Sequence, residues 1–124
     1  MLMALLMAQA LGCANPQTQT DMTLCAGMAS TQADAALNAQ WRRTLANFHK
    51  MDVSAAAEGP QTGPSYADAL LASQRTWLQF RDAQCQVEGY EARGGSMQPQ
   101  LVADCLRRLT TERTKQLRLM AQTH

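Results

Sequence analysis

Six of the 124 residues are aromatic, two each of tryptophan, tyrosine and phenylalanine. So thin a supply excludes a thick aromatic core. Alanine supplies much of the 46% apolar fraction, which points instead to closely packed helices. Neither sign of charge dominates: 11 basic and 10 acidic residues leave a net +1, which removes any global electrostatic case for nucleic acid or a membrane surface. No apolar run approaches the roughly 20 residues that a membrane span needs. Histidine is scarce, with His49 and His124 far in sequence from any cysteine, and no Cys-x-x-Cys pair occurs. Metal binding therefore lacks its usual ligand spacing. Strand-like alternation is missing at any useful length, and the chain is long enough for one domain but not two ordinary ones.

The same scarcities bear on catalysis. A nucleophile with an adjacent base needs histidine or a low-pKa thiol, and the four cysteines are better spent on bridges. Paired carboxylates need a pocket, and the acids here are scattered along helix surfaces. Gly94-Gly95-Ser96 follows no strand, so it reads as a turn rather than a phosphate loop. Of the eight methionines three lie at the N-terminus and the others are spread, which suits core filling better than copper. The expectation is a non-enzyme without a cofactor.

What the chain does have begins with MLMALLMAQALG. It is apolar, with Ala8-Gln9-Ala10 in the small-x-small pattern of signal peptidase cleavage. Residues 1–12 read as a leader and 13–124 as a single helical domain, exported to the periplasm or secreted. Ala10-Leu11-Gly12-Cys13 also suggests a lipidated Cys13, the one route to membrane contact. That alternative leaves an odd number of thiols and ranks lower.

Three helical stripes follow. Thr18-Gln-Thr-Asp21 is a capping box with aspartate in the glutamate position, so a helix begins near residue 19. Met22, Cys25, Ala29, Ala33, Leu37, Trp41, Leu45 and Phe48 recur every three or four residues, giving a helix of about 30 residues, roughly 45 Å long. Met51 to Pro64 is expected to be a loop, punctuated by Gly59-Pro60 and Gly63-Pro64. Ser65-Tyr-Ala-Asp68 caps the second helix, whose buried set is read as Leu71, Trp77, Leu78, Phe80, Arg81 and Cys85. A reversal at Gly94-Gly95 follows, with Ser96 as N-cap and Pro99 in the first turn. Val102, Cys105, Leu106, Leu109, Leu117 and Met120 carry the third stripe. Arg107, Arg108, Arg113, Lys115 and Arg118, set against Asp104 and Glu112, read as its solvated face. The expected architecture is all-α, an antiparallel bundle of three long helices.

Cys85 lies ten residues before Gly95 and Cys105 ten after it, so a hairpin turning there sets them face to face. Cys13 precedes the first helix and Cys25 lies inside it. Of the three possible pairings, this favours Cys13–Cys25 with Cys85–Cys105, while pairing between the first helix and either neighbour stays open. Within QRTWLQFRDAQC (74–85), Arg81 stands four residues from both Trp77 and Cys85, on the inward face. Its stem can bury while its head pairs with Asp34 or Asp82.

The runs CANPQTQTDMTLCA, ADAALNAQW, SQRTWLQFRDAQC, GGS and CLRRLTTERTKQL together resemble the LprI-type lysozyme inhibitor family of exported bacterial proteins, over residues 13 to about 119. The resemblance implies a small, disulfide-stapled helical domain and inhibition of lysozyme. It places the family pattern on Thr18, Gln19, Cys25, Asp34, Leu37, Asn38, Gln74, Arg75, Trp77, Phe80, Arg81, Asp82, Cys85, Gly94, Gly95, Ser96, Cys105, Thr110 and Arg113. Trp41 stands where the family often has tyrosine. Two function classes follow: a binder that blocks lysozyme-type muramidases, or a non-inhibitory envelope module that scaffolds another exported protein. For the first, the contact is expected on the turn carrying Glu91, Arg93, Gly94, Gly95 and Ser96, held by the nearby bridge.

Overall fold

The computed structural model describes Met3 and residues 12–122, so the expected leader falls, but for Met3 and Gly12, outside the described residues. From residue 12 onward the described residues form three helices, α1 Gln19–Ala57, α2 Tyr66–Gly89 and α3 Gln98–Gln122, with a short 3-10 turn at Tyr90–Ala92. Among the described residues there is no strand, and no helix is long and apolar enough to cross a membrane.

Both predicted caps form. Thr18 and Ser65 sit in extended backbone, and their hydroxyls accept from the amides of Asp21 and Asp68. The third start differs: the helix begins at Gln98, one residue past the expected site. There the Met97 carbonyl accepts from the Leu101 amide, and the Gln98 side chain accepts from the Gly94 amide. Gln98 thus ties the turn to the helix start, and the expected Ser96 cap is not formed. The first helix also outlasts its prediction. It has 39 residues, about 58 Å, because Ser54-Ala55-Ala56-Ala57 are compatible with helix and nothing interrupts them before Gly59 at φ +120°. The connecting loop shrinks to residues 58–65.

Cross-helix hydrogen bonds fix the arrangement. Gln19 pairs with Gln100, Thr44 with the Leu117 carbonyl and Asn47 with the Ala121 carbonyl, so α1 and α3 run side by side in the same direction. The second helix runs antiparallel to both. Near its C-terminal end α1 meets the start of α2, where both Asp52 carboxylate oxygens accept from the Tyr66 and Ala67 amides. Asp52 thereby supplements the Ser65 cap.

The core is small: Leu37, Phe48, Leu70 and Leu117 are buried, with Trp41, Leu45, Met51, Trp77 and Met120 packed around them. Leu70 takes the buried position expected of Leu71, a shift of one residue on the helix. Phe80 corrects the reading more sharply, for it is 55% exposed and faces outward. Its neighbour Arg81 takes the inward position instead, and Trp77 is half-buried rather than enclosed. Between these apolar layers lies a buried polar one of Gln40, Thr44, Gln74, Thr110, Arg113 and Thr114. Among the described residues, every buried side-chain nitrogen and oxygen has a hydrogen-bond partner.

Both favoured disulfides are present, Cys13–Cys25 and Cys85–Cys105, with Cα atoms 5.5 and 5.4 Å apart. They staple the same end of the bundle, the end that carries the α2–α3 reversal.

Candidate functional site

Two constellations have specific geometry. The first is the polar layer, centred on Arg113. Only 6% exposed, Arg113 donates from Nε to Gln74 (2.9 Å), from Nη2 to Ser73 (3.0 Å) and from Nη1 to Gln116 (2.8 Å). Burial lowers its pKa from the ordinary arginine value, and among the described residues its hydrogen bonds go to neutral acceptors. The sequence had placed Arg113 on the solvated basic face. The structure buries it because Gln74, one turn before Trp77, supplies the acceptor that a guanidinium needs inside.

Arg81 occupies the next turn of α2. Its guanidinium lies 3.0 Å from Asp82 and 3.6 Å from Asp34, and donates to the Thr110 hydroxyl at 3.3 Å. Both arginines stand over the Trp77 ring, 5.3 and 5.8 Å from its centroid. Asp34, Gln74, Trp77, Arg81, Asp82, Thr110 and Arg113 are thus brought together and join all three helices. The two carboxylates, Asp34 and Asp82, are more than half exposed and each meets Arg81 through one oxygen. Asn38 is exposed and Trp41 packs on the core, so neither joins them. An open groove of about 690 Å³ at the α1–α2 loop is lined in part by Asp52, whose two oxygens are already committed to backbone amides. Among the described residues no group of three or more His, Cys, Asp or Glu could hold a metal ion.

The second constellation is the reversal, residues 90–97. Cys85–Cys105 closes it one turn before the end of α2, and both cysteines are buried. Gly89 brings the helices together: a Cβ there would lie 2.6 Å from Val102 Cγ2. Glu88 bridges to Arg108 at 2.7 Å on the flank. This contact holds the Glu88 carboxyl below its usual range, with a further bond from Gln84. Above the staple the backbone turns tightly. Arg93 N donates to Tyr90 O, Gly95 N to Ala92 O and Gln98 N to Gly95 O, while Gly94 takes φ +78°, which an L side chain rarely adopts. Gln86 donates to the Tyr90 hydroxyl at 2.8 Å, and the Arg93 guanidinium stacks 4.5 Å from that ring. Glu91, Arg93, Gly94, Gly95 and Ser96 are all exposed. The result is a rigid, solvent-facing tip with a pre-set cation.

Among the described residues the two constellations are thus a polar layer that ties the three helices together and an exposed turn above the Cys85–Cys105 staple. The chain belongs to the family described as lysozyme inhibitor LprI, which it matches over residues 13–117. It is also 39% identical over 114 residues to an uncharacterized protein of Rhizobium meliloti (strain 1021), covering 90% of this chain and 79% of that one. No solved structure matches it. The family is one of inhibitors, not of enzymes.

Proposed function

We propose that the protein is an exported bacterial inhibitor that binds lysozyme-type muramidases and closes their substrate cleft with the turn Glu91–Ser96. The family match across the domain, residues 13–117, carries this reading. Two disulfides agree with an oxidising compartment, the periplasm or the exterior, with residues 1–12 as the leader that takes the 13–124 domain there. Muramidase clefts are lined by a pair of carboxylates. Arg93 presents its guanidinium to such a pair, and Glu91 meets basic residues at the rim. A turn already held by a bridge, three backbone hydrogen bonds and an arginine–tyrosine stack loses little entropy on entering a cleft.

The test is a cell-wall lysis assay with purified, oxidised protein against lysozymes of several types. At least one type should be inhibited, and replacing Glu91, Arg93 and Ser96 together by alanine should weaken that inhibition at least tenfold, about 1.4 kcal/mol. Undiminished inhibition by a folded triple variant removes the turn as the contact. Failure against every lysozyme type removes the inhibitor reading.

A further inference from the structure

The outward face of α2 is unlike the solvent-facing side of an ordinary bundle helix. From Ala69 to Val87 its exposed centre holds only alanine, serine, threonine, glutamine, phenylalanine and valine, and no charge. Phe80 and Val87 stand on it 55% and 62% exposed, and Tyr90 continues it at 40%. The charged residues keep to one edge, where Asp68, Arg75 and Asp82, all exposed, follow at seven-residue spacing with alternating sign. An uncharged face with large apolar side chains and a patterned charged edge is the arrangement of a helix–helix interface.

We propose that this face pairs with the same face of a second copy of the chain, antiparallel about a two-fold axis close to Leu78. Large then meets small. Phe80 lies opposite the partner's Thr76, Val87 opposite the partner's Ala69, and Ala83 opposite the partner's Ser73. The same register sets Arg75 one residue from the level of the partner's Asp82, and the two-fold repeats that opposite-charge pair. A shifted register that aligned Asp68 with the partner's Asp82 would set acid beside acid and Arg75 against itself. The alternation of sign thus selects the first arrangement. The two reversals end about 22 Å from the axis on opposite sides, so both stapled turns stay open, roughly 45 Å apart. The pairing does not depend on the inhibitor reading.

Sedimentation velocity of the oxidised chain from about 5 to about 500 µM, where weak helix-pair contacts saturate, should show a reversible rise from the monomer mass toward twice that value. Phe80→Glu and Val87→Glu should each hold the protein monomeric with an unchanged melting temperature, because both side chains are exposed. Arg75→Glu should weaken the dimer about tenfold, whereas Arg75→Lys should cost less than about threefold. Thr111→Glu, on the exposed side of α3, should leave the dimer intact. A monomer throughout the range, or a dimer indifferent to Phe80→Glu, overturns the pairing. If the wild type stays monomeric while Phe80→Glu weakens lysozyme inhibition, the face belongs to the enzyme and the second copy is overturned as its occupant.

Discussion

Arg113 offers the most exacting test of how the bundle is held. In Arg113→Ala, Ser73 and Gln116, both exposed, exchange their lost partner for water at little cost. Gln74 cannot: it is 7% exposed, and its carbonyl oxygen loses its charge-assisted donor, at about 1–3 kcal/mol. The stem adds about 2 kcal/mol for its buried methylenes, and the lost stack on Trp77 about 0.5–1. Release of the guanidinium from a site that lowers its pKa offsets part of this. The expected net loss is about 3 kcal/mol, some 9–15 °C in melting temperature for a domain of this size. Arg113→Met keeps the stem and removes the desolvated charge, so it should cost only about 1–2 kcal/mol. Thermal and urea unfolding of both variants measure these losses. If methionine costs as much as alanine, the hydrogen-bond network dominates and the stem contributes nothing. If both melt within about 2 °C of wild type, Arg113 is not structural at all.

Mass spectrometry of the unreduced, folded protein should show the loss of about four hydrogens and no alkylatable thiol, and removal of Cys85–Cys105 should cost about 2–4 kcal/mol in unfolding assays. Gly89→Ala should destabilise by about 1–3 kcal/mol, because the new Cβ meets the stiff Val102 side chain; an unchanged melting temperature would show that the helices separate freely there. The Glu88 carboxyl is depressed by Arg108, so the folded state holds its proton less tightly than the unfolded chain. Its stabilisation is present above the ordinary glutamate range and is lost as pH falls through the folded-state titration. The melting-temperature gap between wild type and Glu88→Gln should therefore be seen at neutral pH and vanish in acid.

Most of the fold was legible because its signals are local. Thr18 and Ser65 each stand three residues before an aspartate, and ten-residue symmetry about Gly95 pairs Cys85 with Cys105. What escaped depends on neighbours. Phe80 and Arg81 are adjacent, and periodicity alone cannot say which turns inward; the answer lies in Asp34 and Thr110, on two other helices. Arg113 sits in a run of basic residues and looks solvated until Gln74, 39 positions away, is seen to accept from it. One signal was available: the family pattern on Gln74, Arg81 and Arg113 singles out polar residues at helix-facing intervals, and polar residues kept on an apolar stripe usually satisfy one another. The length of α1 was hidden by weighting Gly59-Pro60 and Gly63-Pro64 as if their influence reached back to Met51, when a glycine ends only the turn that contains it.

A net charge of +1 argues against a partner for a cationic enzyme only if the charge is spread evenly, and it is not. Helix α3 carries Arg107, Arg108, Arg113, Lys115 and Arg118 against Asp104 and Glu112, an excess of three positive charges. The segment from α2 through the reversal, residues 66–97, sets Asp68, Asp82, Glu88 and Glu91 against Arg75, Arg81 and Arg93, an excess of one negative charge. Within that segment Arg81 pairs with Asp82, so those two charges cancel, and Glu88 is met by Arg108 of α3. At physiological salt, charges beyond about 8 Å are largely screened, so an approaching enzyme responds to the face it meets rather than to the whole molecule. On the proposed function that face is the Glu91–Ser96 turn. Charge reversal there, Glu91→Lys with Asp82 untouched, should slow association with a cationic lysozyme and steepen no salt dependence, whereas Lys115→Glu on the far helix should leave the association rate unchanged. Equal effects from the two substitutions would mean that the enzyme senses the global charge, and the orientation argued from the stapled turn would fall with it.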